Sequence, residues 1–417
     1  MMKWGLPLLL LGCASILPGR AQVPQVTAPK AVISQPLIAD NQQFLANDGT
    51  TDDGGKDKDT YQNYFHVKVP ATNLIFPLAQ TYSSWNDSEN EKEFTNPATY
   101  RAAISVNRGP WTQLTWGGAK SKECPFHEVI LNDPVAVPVK PGDVIYLRTE
   151  ISVPAGGKWG LGAQAREGDP DANWTEGGTN TADDVLLSDR ANFKPQAGLF
   201  THTAQGVFGT PVGSPDFTPA IILGDSISPY VLTAVSKMGN QVPLAYFGQA
   251  GESANRFWNG GIDRQRLLGG YDVMLYQYGV NDLRTKIPFA TMKSDAQNIW
   301  AAFQAAGGKH LILFTLTPLS KSTDKWVTEK GQTPDFEPEA RTQYNDFVRG
   351  LTDKDVGMKL TVIDTAALFE TTKDDSLWKP GADEKALTDD GCHPNGQGYP
   401  LIEAELGPKI REAVLAK

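Results

Sequence analysis

Two rhythms of apolar and polar positions divide the chain. Between residues 61 and 205 the pattern alternates, as in Tyr64-Phe65-His66-Val67-Lys68-Val69, Tyr100 to Val106 and Val144 to Val153. A period of two marks half-buried strands. Gly, Pro and Asn clusters separate these runs, and no stretch there sustains a helical period. The pattern predicts a β-sandwich of jelly-roll type over 61–205. Residues 22–60 read as a leader and loop. Within them Asn47 to Thr60 has no apolar residue, so exposure is expected. A Gly/Pro-rich connector, 206–218, closes the β half.

From 219 to 417 the rhythm becomes strand, loop, helix. Short continuous apolar runs lie at Ala220 to Leu223, Leu244 to Phe247, Val273 to Tyr276, His310 to Thr315 and Leu360 to Ile363. Helical periods run from Phe289 to Ala306 and from Pro338 to Leu351. Apolar strands alternating with helices predict an α/β unit whose parallel sheet is covered on both faces. Ligands of such sheets sit beyond the carboxyl ends of the strands.

Charge and termini narrow the partners. The net charge of −10 opposes phosphate backbones and anionic lipid heads, so nucleic acid is not expected as a partner. The N-terminus has the form of an export signal: Lys3, the apolar run Leu6 to Leu17, Pro18, then Gly19-Arg20-Ala21. Cleavage after Ala21 predicts a periplasmic or secreted protein. The lipobox-like Leu10-Leu11-Gly12-Cys13 is the rival, with a lipid anchor on Cys13 and no other stable membrane insertion. With Cys13 removed, Cys124 and Cys392 remain. They are either a disulfide or two separate buried thiols.

The polar residues at the strand ends carry the candidate chemistry. Ser226 follows the first strand of the α/β half in Gly224-Asp225-Ser226. A serine needs a base, an orienting acid and preset donors for the developing oxyanion. The same triplet could simply cap a helix. Of the five histidines, His66 and His127 fall in the β half and His202 near the connector, while His310 begins a strand at the wrong end of the sheet. His393 remains, in Asp390-Gly391-Cys392-His393-Pro394-Asn395. Asp390 stands three residues before it, and Asp389 is a nearby substitute. Gly251, in Gln249-Ala250-Gly251-Glu252-Ser253, offers an N–H. Asn281, in Tyr278-Gly279-Val280-Asn281-Asp282, offers an amide. His and Cys are too few and scattered for a zinc site, and no cofactor is called for.

These blocks, in this order, resemble those of the SGNH hydrolase family, also called GDSL esterases and lipases. The resemblance covers roughly residues 219–417 and implies a flavodoxin-like three-layer α/β/α fold. It implies Ser226 as nucleophile, His393 and Asp390 as its partners, and Ser226, Gly251 and Asn281 as oxyanion donors. Thr315-Leu316-Thr317-Pro318 is a looser similarity. Ala250 stands where the family commonly has serine, and Cys392 where it has an apolar residue. The β half lies outside the resemblance; its likeness to the jelly-roll modules of carbohydrate esterases is one of architecture.

The expected activity is therefore release of small acyl groups such as acetyl from an acylated carbohydrate. Trp258 and Arg256 are candidates for lining its pocket. Trp85, Trp111, Trp116, Trp159 and Trp174 are either sugar-stacking platforms or sandwich core. The polar insert from Ser320 to Glu337 is a candidate lid. Three rival readings remain: a carbohydrate O-acyltransferase, a lipid esterase or lysophospholipase using the same triad, and a polysaccharide-binding module with a vestigial site.

Overall fold

A computed structural model describes residues 29–40, 44–45, 57–79, 96–125, 128–159, 163–164, 187, 200–201, 204 and 206–416. The export signal, Cys13, Trp85, His127, Trp174 and His202 lie outside the described residues.

The N-terminal half is antiparallel β structure. Its main sheet has strands β1 (Leu37–Asp40), β2 (Lys58–Val67), β3 (Ala71–Ile75), β4 (Ala98–Val106), β5 (Thr112–Gln113), β6 (Lys122–Cys124), β7 (Val144–Ser152) and β8 (Val207–Pro211). Their order is β3-β8-β1-β2-β7-β4-β5, with β6 also on β4. A two-stranded ribbon, Pro77–Ala79 with Val129–Leu131, brings Leu78 and Ile130 into the core formed by the sheet. Three expectations change. The leader contributes β1, and β2 starts at Lys58 inside the stretch expected as exposed loop. The connector contributes β8 between β1 and β3. Each strand is recruited by pairing: β1 is too short to signal a period, and β8 carries Gly209 and Pro211 like a turn.

The C-terminal half is a three-layer α/β/α unit. Its parallel sheet comprises β9 (Ala220–Gly224), β10 (Leu244–Tyr246), β11 (Val273–Gln277), β12 (His310–Phe314) and, after a small hairpin, a strand at Lys359–Ile363. The hairpin is β13 (Ser320–Ser322) with β14 (Gln332–Pro334), which makes the last sheet strand β15. The sheet order β10-β9-β11-β12-β15 has the sequential form 2-1-3-4-5 of the flavodoxin type. Helices α1 (Pro229–Ser236), α2 (Ala254–Gly260), α3 (Ile262–Arg266), α4 (Val280–Arg284), α5 (Phe289–Ala305) and α6 (Pro338–Arg349) follow the strands. Helices α7 (Gly398–Glu405) and α8 (Gly407–Leu415) end the chain. α1 packs with α7 and α8, while α5 packs with α2 and α6, so both faces are covered. All five residues of β9, of β11 and of β12 are buried, as a doubly covered sheet requires.

Cys124 and Cys392 are free and buried, so they form no disulfide. Cys124 belongs to the β core and Cys392 to the α/β core, with different neighbours. Trp116 and Trp159 are buried in the β half. The Trp159 indole N–H donates to the Tyr61 hydroxyl at 3.0 Å. Trp111 is half-buried, with the Arg148 guanidinium 3.8 Å above its ring.

Candidate active site

The strand order reverses about β9, which has β10 on one side and β11 on the other. Three turns therefore converge beyond its carboxyl end. Ser226 lies in the turn after β9, two residues before the α1 N-cap. That cap is Ser228, and it makes no side-chain capping bond. Ser226 is thus free of the capping role. A side chain at Gly224 would meet Ser228 at 2.7 Å, so the turn closes only over a glycine.

The Ser226 hydroxyl lies 2.7 Å from His393 Nε2. His393 Nδ1 lies 2.6 Å from Asp390 Oδ2. The other oxygen of Asp390 accepts the backbone N–H groups of Cys392 and His393 at 2.9 and 2.8 Å. Asp389 instead accepts from the Asn395 amide at 2.8 Å, so it does not face the ring. Burial acts to raise the Asp390 pKa, but the hydrogen bonds from His393 and Cys392 outweigh it and hold it well below the usual range. The Asp390 hydrogen bond raises the His393 pKa above 6.5, and burial opposes that only in part.

Gly251 is exposed in the turn before α2, with φ +75°. Asn281 is buried in the first turn of α4. Its amide donates to Asp225 Oδ2 and to the Glu252 carbonyl, both at 3.1 Å. Gln249 N–H donates to the Gly224 carbonyl at 3.0 Å. These bonds tie the three turns together.

Beneath them lies a polar layer that sequence reasoning missed. Arg264 pairs with Glu252 through two bonds of 2.8 and 2.6 Å, and the Tyr278 hydroxyl donates to Glu252 at 2.5 Å. Asp282 accepts the N–H groups of Ala254 and Asn255 at the start of α2, at 2.9 and 3.1 Å. Burial pushes the Asp225 pKa up to about 7 and that of Asp282 to about 6. Glu252 and Asp282 stand inside the recognisable blocks. Arg264 had no such signal, since a five-residue helix shows no period.

The two pocket candidates, Trp258 and Arg256, both lie on α2. Trp258 is only 5% exposed and packs in the α/β core. Its carbonyl accepts from Gln265 at 2.8 Å, and little of its side chain is open to a ligand. Arg256 is half-buried on the same helix, its N–H donating to the Ser253 cap at 3.0 Å. The insert expected as a lid is docked: Ser320 N–H donates to the Gly391 carbonyl at 3.1 Å. Trp378 Nε1 donates to that same carbonyl at 3.1 Å.

Residues 222–401 match the model of the GDSL-like Lipase/Acylhydrolase family. The α/β half belongs to that family. Its membership makes the chain an ester hydrolase. No curated protein sequence matches the chain. Among solved structures, a carbohydrate esterase family 3 protein from Talaromyces cellulolyticus is similar at 18% identity. The match covers 48% of this chain and 98% of that one, with TM-score 0.34. The acetyl xylan esterase AlAXEase is similar at 18% identity over 46% of this chain and 98% of its own, with TM-score 0.34. A lipase/acylhydrolase from Enterococcus faecalis gives 19% identity, 47% and 96% coverage, and TM-score 0.34.

Proposed function

We propose that the GDSL-like half is a serine esterase that removes small acyl groups, such as acetyl, from carbohydrate. The observation that carries the reading is the unbroken chain of short contacts from Ser226 through His393 to Asp390. With Asp390 anionic, Nδ1 keeps its proton and Nε2 presents a lone pair to the hydroxyl. His393 takes the Ser226 proton as Oγ attacks the ester carbonyl. The protonated ring then gives that proton to the departing alcohol oxygen. Water, deprotonated by the same ring, attacks the acyl-serine and releases the acid.

The Ser226 and Gly251 N–H groups and the Asn281 amide are the proposed oxyanion donors. The two present bonds of the Asn281 amide are long, at 3.1 Å, and a substrate oxygen would compete with Asp225 for it. A small acyl group fits a docked insert whose large apolar side chains, Trp326 and Phe336, are already partly buried against the α/β core. The export reading rests on the signal-like residues 1–21, and among the described residues no helix is long and apolar enough to cross a membrane.

The test is a screen of acetylated polysaccharides beside short- and long-chain nitrophenyl esters, with Ser226→Ala as control. Turnover of the acetyl substrates, lost by roughly 10³-fold or more in Ser226→Ala, is the expected result. A preference for long acyl chains, or product that appears only with a sugar acceptor, would replace this reading by a lipid esterase or an acyltransferase. Activity indifferent to Ser226→Ala would remove the triad.

A further inference from the structure

Arg284 ends α4, one turn beyond Asn281, and its side chain is exposed. Its guanidinium carbon lies 5.3 Å from the centre of the Phe336 ring. It also opposes the burial that pushes up the thiol pKa of Cys392, the residue before His393. The guanidinium is thus held by the insert, which is itself docked on the histidine loop through Ser320 and Gly391. Other arginines of the α/β half have carboxylate partners: Glu252 for Arg264, Glu370 for Arg341, Asp364 and Asp374 for Arg349. Among the described residues Arg284 has no such partner. It is a fixed, unneutralised cation at the edge of the reactive pair.

Its side of the site is informative. His393 must pass a proton to the leaving oxygen, so the leaving alcohol lies against the imidazole. Arg284 reaches from α4 to the insert that is docked on the histidine loop at Gly391, hence to the side of that alcohol. A guanidinium binds planar oxyanions in a fork, and binds them best where water is partly excluded.

Building on the esterase reading, the geometry points to Arg284 as a specificity-determining residue that favours esters whose alcohol carries an oxyanion, such as the carboxylate of a uronic-acid unit. Phe336 fixes the guanidinium rather than touching the reacting atoms. The groups facing His393 are Asp390, Asp225 and Arg284, and of these Arg284 alone holds its pKa down.

The experiment compares 3-acetoxybenzoate with 3-acetoxybenzamide, leaving groups of like shape that differ in charge. Wild type is expected to show the higher kcat/KM on the carboxylate. In Arg284→Gln the ratio of the two kcat/KM values should fall by about tenfold, mostly through KM for the anion. Arg284→Lys should restore part of it, and Arg284→Glu should push the ratio below that of Arg284→Gln. The acid limb of kcat/KM on the neutral amide should also move to higher pH in Arg284→Gln, since loss of the cation lets the His393 pKa rise. A wild type that turns over both esters, with a ratio unchanged by Arg284→Gln, overturns the inference and leaves the esterase reading standing. Hydrolysis of neither ester by wild type overturns both.

Discussion

His393 stands close to two carboxylates with opposite tendencies. Asp390 is kept anionic by the donors around it, whereas buried Asp225 is pushed towards protonation at neutral pH. Only the first can orient the ring as a stable anion. Because His393 must be neutral to act as a base, activity is expected to fall as pH drops through a pKa above 6.5. Asp390→Asn removes the charge that raises that pKa. Its acid limb should therefore move to lower pH while kcat falls by roughly 10²–10⁴-fold. A pH–rate profile with an unmoved limb would refute this coupling. The residues of the proposed triad were legible because each lies in a short loop with a distinctive neighbour: Asp390 three before His393, Gly224 two before Ser226. What spacing left open was Asp389 against Asp390. The choice follows from the turn, in which Asp390 Oδ1 accepts two backbone N–H groups and thereby aims Oδ2 at the ring.

At the scale of elements, the histidine loop is held by the insert that the polar sequence presented as a cover. Gly391 has φ +76°, and a Cβ there would come within 1.9 Å of the Ser320 carbonyl. Its own carbonyl accepts from Ser320 N–H and Trp378 Nε1. Trp378→Phe keeps most of the buried ring but loses one donor to the loop. It should lower kcat several-fold with little change in KM, and it should cost about 1 kcal/mol of stability. A normal kcat with a lowered melting temperature would mean that the clamp is only structural. Gly391→Ala should be far more damaging, because strain and collision act together. Sequence patterning found the five parallel strands within a residue or two, since a sheet buried on both faces demands unbroken apolar runs. It could not find β1 or β8. Leu37–Asp40 is too short for a period, and Val207–Pro211 is punctuated like a turn, so only long-range pairing makes them strands. The docking of the insert was hidden likewise, because Ser320 and Gly391 are 71 positions apart in sequence.

Those two strands decide how the whole molecule behaves. The segment before and within β1 runs along the edge of the α/β half and exchanges backbone bonds with it. Val32 N–H donates to the Arg266 carbonyl and Leu37 N–H to the Gly270 carbonyl, both at 3.0 Å. Buried Asp40 accepts the N–H of Leu244, in edge strand β10, at 2.8 Å. Phe208 of β8 packs edge-on against Tyr271, and Ile33, Leu37 and Phe208 share one core with the parallel sheet. A chain cut within the connector, spanning 214–417, would uncover those apolar side chains and leave Leu244 N–H without its acceptor. Such a fragment should aggregate or melt well below the full chain, despite holding every residue of the proposed site. In the intact protein the halves should unfold together, in a single calorimetric transition. Asp40→Ala tests the joint directly. It leaves a buried donor unpaired, which costs about 1–3 kcal/mol, so the melting temperature should fall by a few degrees while the single transition persists. Two resolved transitions in wild type, or a 214–417 fragment that is soluble, active and as heat-resistant as the full chain, would show instead that the halves fold independently and that the shared core carries no coupling.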